Sequence, residues 1–251
     1  MKKILFMLPL LAVALVSCNK DNGDELSGDD IIQFKDQNFL NALLTVQEID
    51  LYDADTDDWI PYTMDVDKNK DGQISVNEAK EVKGLILYDY ETDEIYNITD
   101  MSEIKYFTSL TYLECYGNQI VSLDLSNNVA LTYLGCTDNP LKTLDVSGCT
   151  NLVCLNCYNN QLAALDLSNN TSLTELYCYS NPQLTALDVS MCHDLDSFEC
   201  SRYNNYDGGY EIDYDTKCPL ESLKIYKYHR ISDADFTVLE ELYGDIIEYV
   251  E

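Results

Sequence analysis

Oxygen-bearing side chains recur at alternate positions between residues 67 and 78. This segment reads Asp-Lys-Asn-Lys-Asp-Gly-Gln-Ile-Ser-Val-Asn-Glu. A hard divalent cation such as calcium takes about six to eight oxygen ligands, and a twelve-residue loop supplies them from positions 1, 3, 5, 7, 9 and 12, with glycine at position 6. The predicted metal ligands are Asp67, Asn69, Asp71, Gln73, Ser75 and Glu78. Gln73 would bind through its backbone carbonyl and Glu78 through both carboxylate oxygens.

The same segment resembles the EF-hand calcium loop at every required position. Gly72 stands where such a loop turns sharply, and residues 77–83 predict the helix that follows. Pro61 and a polar run lie just upstream and argue against an entering helix. The resemblance implies one structural calcium ion in an isolated loop. Residues 53–57 begin similarly but lack the required glycine and glutamate, so they predict an acidic surface loop.

A repeat of about 21 residues organises most of the chain that follows. One cysteine recurs with steps of 21, 21, 21 and 22 residues, and an asparagine follows three residues after the first four of these cysteines. The cysteines, called the ladder cysteines below, are Cys115, Cys136, Cys157, Cys178 and Cys200, and the asparagines are Asn118, Asn139, Asn160 and Asn181. A short fixed period predicts a solenoid in which each coil stacks on the next.

Each regular unit reads Leu-x-x-Leu-x-Cys-x-x-Asn-x-Leu-x-x-Leu-Asp-(Leu/Val)-Ser, as in residues 131–147. This sequence pattern resembles the leucine-rich repeats of Bacteroides-type surface lipoproteins, with cysteine replacing the third leucine of the strand. The resemblance implies a leucine-rich repeat solenoid, built on a curved parallel β-sheet with few helices. The repeats would span residues 82–225. Capping segments of mixed α/β structure are expected at residues 31–81, which include the calcium loop, and at residues 226–251.

Polar residues recur as well as apolar ones. The repeated asparagines predict turns in which the side-chain amide forms hydrogen bonds with backbone groups that would otherwise be unpaired. Asn128 and Asn170 alternate with Cys149 and Cys192 at a second such position. An aspartate also precedes a serine by two residues in four units: Asp124, Asp145, Asp166 and Asp188. This last row is consistent either with turns held by Asp and Ser or with cation binding along one edge.

Ten cysteines in an exported chain raise the alternative of a disulfide scaffold. However, five of them share one inward position on stacked parallel strands, where disulfide geometry is poorly met. The pattern therefore favours small buried free thiols. Among all pairs, Cys200 and Cys218 are the least incompatible with a disulfide, because an insertion separates them. The spacing of cysteines and histidines does not favour a zinc site.

The N-terminus predicts export and lipid attachment. Lys2 and Lys3 precede an apolar run that is too short to span a membrane, so residues 1–17 predict a signal peptide. Residues 15–18 read Leu-Val-Ser-Cys and resemble a bacterial lipobox. This resemblance implies lipidation of Cys18. The polar, acidic composition that follows predicts a flexible tether over residues 18–30. Residues 20–25 resemble the acidic export signal of lipoproteins that Bacteroides-type bacteria display on their surface, which implies a place in the outer membrane, facing the cell exterior.

The chain is strongly acidic, with 45 Asp and Glu residues against 15 Lys and Arg residues and a formal charge of −30. Nucleic acid requires clustered basic residues, so it is not an expected partner. An anionic membrane surface is equally unfavourable, which leaves the lipid anchor as the expected membrane contact. The charge favours divalent cations and basic partners.

Tyrosines occupy many of the strand positions that the repeat leaves free. The predicted ligand-binding residues are Tyr112, Tyr116, Tyr133, Tyr158, Tyr177, Tyr179 and Tyr226. Tyrosine combines a large contact area with a polar tip, which suits recognition, although aromatic residues also stack on each other between strands. The only histidines, His193 and His229, are isolated, and no catalytic motif is present, so an enzyme is not expected. The sequence predicts a binding protein for a protein or peptide ligand, including one from a host, with a glycan ligand as the alternative.

Overall fold

The computed structural model describes residues 26–45, 49–53, 58–62, 65–88, 96–206, 209–213, 217–226, 230–231 and 233–250. The predicted signal peptide, Cys18 and most of the predicted tether lie outside these residues. For residues 49–53, 58–62, 202–206, 209–213, 226 and 233–234, only the backbone is described. Within the described ranges, no helix is long and apolar enough to cross a membrane.

The secondary-structure elements are short, and strands predominate. Before the repeats come helix α1 (Gln37–Thr45), strands β1 (Ile49–Asp53) and β2 (Asp58–Tyr62), and helix α2 (Val76–Glu81). The repeats contain β3 (Gly84–Ile86), a 3-10 turn (Ser102–Tyr106), β4 (Tyr112–Glu114), β5 (Ser122–Asp124), β6 (Tyr133–Gly135), β7 (Thr143–Asp145), β8 (Cys154–Asn156), β9 (Glu175–Tyr177), β10 (Ala186–Asp188) and β11 (Ser197–Glu199). The C-terminal part contains β12 (Arg202–Tyr206), β13 (Gly209–Asp213), β14 (Ser222–Tyr226), helix α3 (Asp233–Tyr243), a 3-10 turn (Gly244–Ile246) and β15 (Ile247–Val250).

The main sheet has six parallel strands in the order β11-β9-β8-β6-β4-β3. Its register places one apolar residue of each strand in a single row: Leu85, Leu113, Leu134, Leu155, Leu176 and Phe198. All six are at most 1% exposed. The ladder cysteines form a second buried row two residues further along each strand. The predicted leucine-rich repeat solenoid is confirmed by this parallel register.

The opposite side of the coils is less regular. Strand β5 pairs with β7, and β10 pairs with β14, which in turn pairs with β15. Residues Leu123 and Leu125 point inward from this side and are at most 2% exposed. Because β14 joins β10 rather than β11, Tyr226 does not share the six-stranded sheet, so the prediction that it lies beside the other tyrosines was wrong.

The repeated asparagines hold successive coils together. Asn139 is 4% exposed and donates to the carbonyls of Cys115, Cys136 and Thr137 at 3.0–3.3 Å. Its own Oδ1 accepts from the N–H of Ile120 at 3.1 Å. Asn118, Asn160 and Asn181 repeat this pattern with the residues one coil away. The predicted asparagine turns are confirmed.

The second polar position works in a similar way. The Nδ2 of Asn128 donates to the carbonyls of Ile104 and Phe107, both at 3.0 Å. One coil later the thiol of Cys149 donates to the carbonyl of Leu125 at 3.4 Å. The thiol thus replaces one of the two hydrogen bonds that the asparagine side chain makes to backbone carbonyls. This explains why cysteine alternates with asparagine at this position. In all four Asp–Ser units the aspartate Oδ1 accepts from the serine N–H at 2.9–3.0 Å, which confirms those turns.

The cysteines of the described chain are free and buried, as predicted. Burial raises the pKa of Cys149 and Cys192 to about 12, so these thiols stay protonated at neutral pH. The chain does fold back so that the N–H of Cys218 donates to the carbonyl of Cys200 at 2.9 Å. The thiol of Cys218 instead donates to the carbonyl of Cys178 at 3.1 Å, and no disulfide joins these residues.

Both ends of the solenoid are covered. At the N-terminal end Phe39 of α1 packs on Phe107 with 6.3 Å between ring centroids, and Asp36 accepts from the N–H groups of Thr99 and Asp100. At the C-terminal end the hydroxyl of Tyr243 donates to the carbonyl of Cys218 at 2.8 Å. These contacts confirm the predicted caps, since open ends would expose both apolar core and unpaired backbone.

Gly148 lies at a close contact between two successive coils. A Cβ atom at this position would lie 2.0 Å from the carbonyl oxygen of Ser126 and 2.6 Å from its carbonyl carbon. Because backbone atoms form that contact, the coils would have to separate. We expect Gly148→Ala to lower the free energy of unfolding by about 2–3 kcal/mol, measured by urea denaturation. Gly244→Ala is the control, since a Cβ there meets nothing within 4 Å, and equal losses in the two variants would contradict the close contact.

Candidate functional site

The predicted calcium loop has its side-chain oxygens folded over its own backbone. Asp67 accepts from the N–H groups of Asp71 and Gly72 at 3.1 and 2.8 Å. Asn69 accepts from Asp71, and Asp71 accepts from Gln73, both at 2.8 Å. Lys70 and Gly72 adopt positive φ values of 59° and 79°, which create the sharp turn. The backbone at Gly72 is that expected of its position in the loop.

Glu78 joins the two ends of the loop. Its Oε2 accepts from both the N–H and the hydroxyl of Ser75 at 2.9 and 2.8 Å, forming a capping box at the start of α2. Its Oε1 accepts from the N–H of Lys68 at 3.1 Å. Burial alone would raise the pKa of Glu78, but these hydrogen bonds outweigh it and hold the pKa below its ordinary value. Glu78 is therefore an ionised carboxylate placed across the loop.

The donor set and the backbone of this loop fit calcium, but the acids do not converge. Across the described ranges, no three His, Cys, Asp or Glu side chains are grouped closely enough to hold a metal ion. The reason is visible at Glu78, whose carboxylate oxygens cap α2 and the first loop residues. Bidentate ligation would require this carboxylate to exchange its bonds to Ser75 for a cation.

A segment that precedes the loop in sequence pairs with its edge. The N–H of Ile32 donates to the carbonyl of Ile74 at 2.8 Å, and Ile31 bridges Ser75. The N–H of Asn77 donates to the carbonyl of Gly28 at 2.8 Å. Upstream of the loop, β1 and β2 form an antiparallel hairpin, so no entering helix is present at residues 58–62.

A second candidate site is the outward face of the six-stranded sheet. Three rows of side chains alternate with the two buried rows, and together they define this outward face. The rows are Gly84, Tyr112, Tyr133, Cys154, Glu175 and Ser197; Ile86, Glu114, Gly135, Asn156, Tyr177 and Glu199; and Tyr88, Tyr116, Thr137, Tyr158, Tyr179 and Ser201. Six of the seven predicted tyrosines are brought together here.

These tyrosines are ordered by contacts with one another. The rings of Tyr112 and Tyr133 stack at 4.3 Å with an interplanar angle of 4°. Those of Tyr158 and Tyr179 stack at 4.5 Å and 9°. Tyr116 meets Tyr88 edge to face at 5.0 Å. Stacking between coils, the alternative weighed from the sequence, is thus present, and all six rings remain half-buried and partly accessible.

A buried carboxyl group lies on the outward face on β4, next to the edge strand β3. Glu114 is 8% exposed, and its Oε2 accepts from the hydroxyl of Tyr133 at 3.1 Å. The same hydroxyl accepts from Nδ2 of Asn156 at 3.0 Å. A Cβ at Gly135 would lie 2.3 Å from Glu114 Oε2, so the glycine is what allows the carboxyl to lie flat on the sheet. Burial raises the pKa of Glu114, and the bond from Tyr133 offsets this only in part.

Sequence reasoning missed this group. The available signal was Gly135, since neighbouring strands carry the larger Glu114 and Asn156 at the same register position. Cys154 also lies on the outward face, where its thiol donates to Oε2 of Glu175 at 3.5 Å. Burial raises the pKa of Cys154 to about 12, which makes it a poor nucleophile at neutral pH.

No protein-family model matches the chain. No curated protein matches it significantly. The chain is similar to the functional domain of InlJ from Listeria monocytogenes, which includes a cysteine ladder, with 28% identity, a TM-score of 0.37 and coverage of 68% of this chain and 49% of the other. It is also similar to an internalin, inlF, of the same organism, with 20% identity, a TM-score of 0.47 and coverage of 87% and 52%.

A leucine-rich repeat protein of Leptospira interrogans is a further solved structure with similarity, at 17% identity, a TM-score of 0.34 and coverage of 69% and 62%. The chain spans about half the length of the two Listeria structures. The repeat and the parallel register of its own strands are what give this chain its leucine-rich repeat fold.

Proposed function

We propose that the chain is a non-catalytic binding protein that holds a protein or peptide partner on its outward face. The observation that carries this proposal is the joint placement of six tyrosines and a buried carboxyl on one six-stranded sheet. Rigid aromatic side chains supply contact area at a low cost in conformational entropy. Tyr158 and Tyr179 are stacked on each other, so little of their side-chain freedom remains to be lost on binding.

The same stacking bears on the glycan alternative. A sugar ring packs on the open face of an aromatic ring, whereas Tyr112 and Tyr133 cover one face of each other at 4.3 Å. The hydroxyl of Tyr133 is already bonded to Glu114 and Asn156, so the ring edges are what this pair offers a ligand. Ring edges suit side-chain contacts with a peptide. A protein or peptide partner is therefore preferred over a glycan.

We also propose that the chain binds one calcium ion through residues 67–78 and is held in the outer membrane by a lipid on Cys18, with the folded part facing the cell exterior. The loop backbone and donor types described above support the calcium site. The segment that pairs with the loop follows the predicted tether directly. Calcium at this position would fix the junction between tether and solenoid.

Panning a phage-displayed peptide library on the full chain tests the proposed binding face. We expect selected peptides to bind the double variant Tyr158→Ala/Tyr179→Ala at least 10-fold more weakly than the unchanged chain, because central aromatic residues dominate such interfaces. Fluorescence anisotropy with labelled peptides gives the affinities. The matched control is Tyr249→Ala, a residue of β15 that is 47% exposed and lies off the outward face.

A glycan array run with the same three chains decides between the two partner classes. Sugar binding that disappears in the double variant, without any peptide that depends on these tyrosines, would overturn the preference for a protein partner. Peptides that bind all three chains equally would show that the outward face is not the binding site.

A further inference from the structure

The charges of the outward face are all of one sign. Its three rows contain Glu114, Glu175 and Glu199 and contain neither lysine nor arginine. Glu175 is exposed and Glu199 is half-buried. Lys83 lies only at the edge, where its carbonyl accepts from the N–H of Thr111. An acidic sheet face with aromatic surroundings is complementary to a basic partner.

Among these three acids, Glu114 is the one whose burial is not explained by hydrogen bonds within the fold. It is more than nine-tenths buried, yet in the described part of the chain the only hydrogen bond that its carboxyl group accepts comes from the hydroxyl of Tyr133. A carboxylate offers about four acceptor positions. Burying such a group without a countercharge is costly. The capping acid Glu78, by contrast, accepts from several donors.

The neighbours of Glu114 supply few donors to its carboxyl. Gly135, which the carboxyl covers, has no side chain that could donate to it, and the amide of Asn156 is bonded to the hydroxyl of Tyr133 instead. A planar guanidinium presents parallel N–H groups that match the two oxygens of a carboxylate. A lysine ammonium would contribute charge but could not pair with both oxygens in this way.

We propose that Glu114 is the anchoring carboxylate for an arginine side chain of a basic peptide segment that docks across the outward face. This inference rests on the proposed function and names the chemistry of its partner. Strands in a sheet lie about 4.8 Å apart, and Glu175 is also offset from Glu114 by two residues along the strand, so the three steps from β4 to β9 place the two residues about 16 Å apart. About four residues of extended peptide, together with the length of two arginine side chains, cover this distance. The favoured segment therefore carries basic residues four positions apart.

The probe is an acetylated and amidated peptide, Gly-Arg-Gly-Ser-Gly-Arg-Gly, with a fluorescent label. Its controls replace both arginines by lysine or by citrulline, which keeps the shape of arginine but lacks its charge. Anisotropy with the full chain at about 0.15 M salt gives the affinities, so that exposed charges are screened. We expect the arginine peptide to bind at least 10-fold more tightly than the citrulline peptide and several-fold more tightly than the lysine peptide.

Glu114→Gln tests the anchor and Glu240→Gln is its control. Both remove one negative charge, but Glu240 is exposed on α3, away from the outward face. We expect Glu114→Gln to lower the affinity for the arginine peptide at least 10-fold. We expect Glu240→Gln to change this affinity less than 2-fold. Glu175→Gln, at an exposed position, should lower the affinity for the arginine peptide about 3-fold. This second variant keeps the proposal testable if Glu114→Gln does not fold.

Equal effects of the Glu114 and Glu240 variants, or equal binding of the lysine and arginine peptides, would overturn the arginine proposal. If panned peptides depend on Tyr158 and Tyr179 but lack arginine, the proposed function stands and this inference falls. If binding of the panned peptides does not depend on those tyrosines while binding of the arginine peptide still depends on Glu114, the proposal that the tyrosines form the binding site is refuted instead.

Discussion

Asn160→Ala should lower the free energy of unfolding by about 4 kcal/mol. The Nδ2 of Asn160 donates to the carbonyls of Cys136, Cys157 and Tyr158 at 3.0–3.1 Å, and its Oδ1 accepts from the N–H of Leu141 at 3.1 Å. The residue is 4% exposed, so water cannot replace these bonds without opening the coil. Each buried backbone group that loses its partner costs about 1–3 kcal/mol, and partial relaxation reduces the sum.

This loss is a large part of the total stability of an ordinary domain, which is about 5–15 kcal/mol. Urea unfolding followed by circular dichroism measures it. Asn169→Ala is the matched control, because Asn169 is exposed and makes one bond, from Nδ2 to the carbonyl of Ser147 at 3.3 Å. We expect the control to change stability by less than about 0.5 kcal/mol. A similar loss in both variants would show that the asparagine row does not hold the coils together.

The asparagine row also shows why so much of this fold was predictable. A solenoid repeats one local solution, so each coil gives the same information about which residues are buried and which make turns. Asn118 and Cys115 recur with their spacing, and the structure gives every copy the same bonds. Where the period holds, sequence spacing and three-dimensional position are almost equivalent.

Prediction failed where the period breaks. The insertion that begins at Arg202 forms the β12–β13 hairpin, and the chain then returns on the opposite side of the solenoid. The sequence around Leu223 still resembles a strand of the repeat, because both sides of a coil need apolar residues that point inward. Nothing in that pattern distinguishes pairing with β10 from pairing with β11. Tyr226 was misplaced for this reason.

The buried carboxyl of the outward face was missed for a different reason. Repeat analysis separates positions that must be apolar from positions that are free, and Glu114 occupies a free position. Its burial arises from the absence of a side chain at Gly135 on the next strand and from the ring of Tyr133. Such cross-strand effects depend on register, which becomes visible only when the coils are placed side by side.

Removing calcium should destabilise the N-terminal cap, and Glu78→Gln should reproduce that loss. Saturation of one site at about 100 times its dissociation constant stabilises a fold by about 2.7 kcal/mol. Glutamine retains one acceptor oxygen but loses the charge and the second ligand oxygen, so we expect the calcium affinity to fall about 100-fold. Isothermal titration calorimetry of the full chain, after treatment with a chelator, measures the affinity, and the thermal midpoint with and without calcium measures the stability.

Glu81→Gln provides the control for this experiment. Glu81 lies on the same helix and pairs with Lys68, but both side chains are more than half exposed, so their ion pair contributes little. Glu78→Gln also weakens the capping box with Ser75, which lowers stability even without calcium. The informative quantity is therefore the calcium-dependent part of the thermal midpoint, which should vanish in Glu78→Gln and persist in Glu81→Gln. Equal calcium titrations of both variants would refute the loop as a metal site, because the twelfth position would then contribute no ligand.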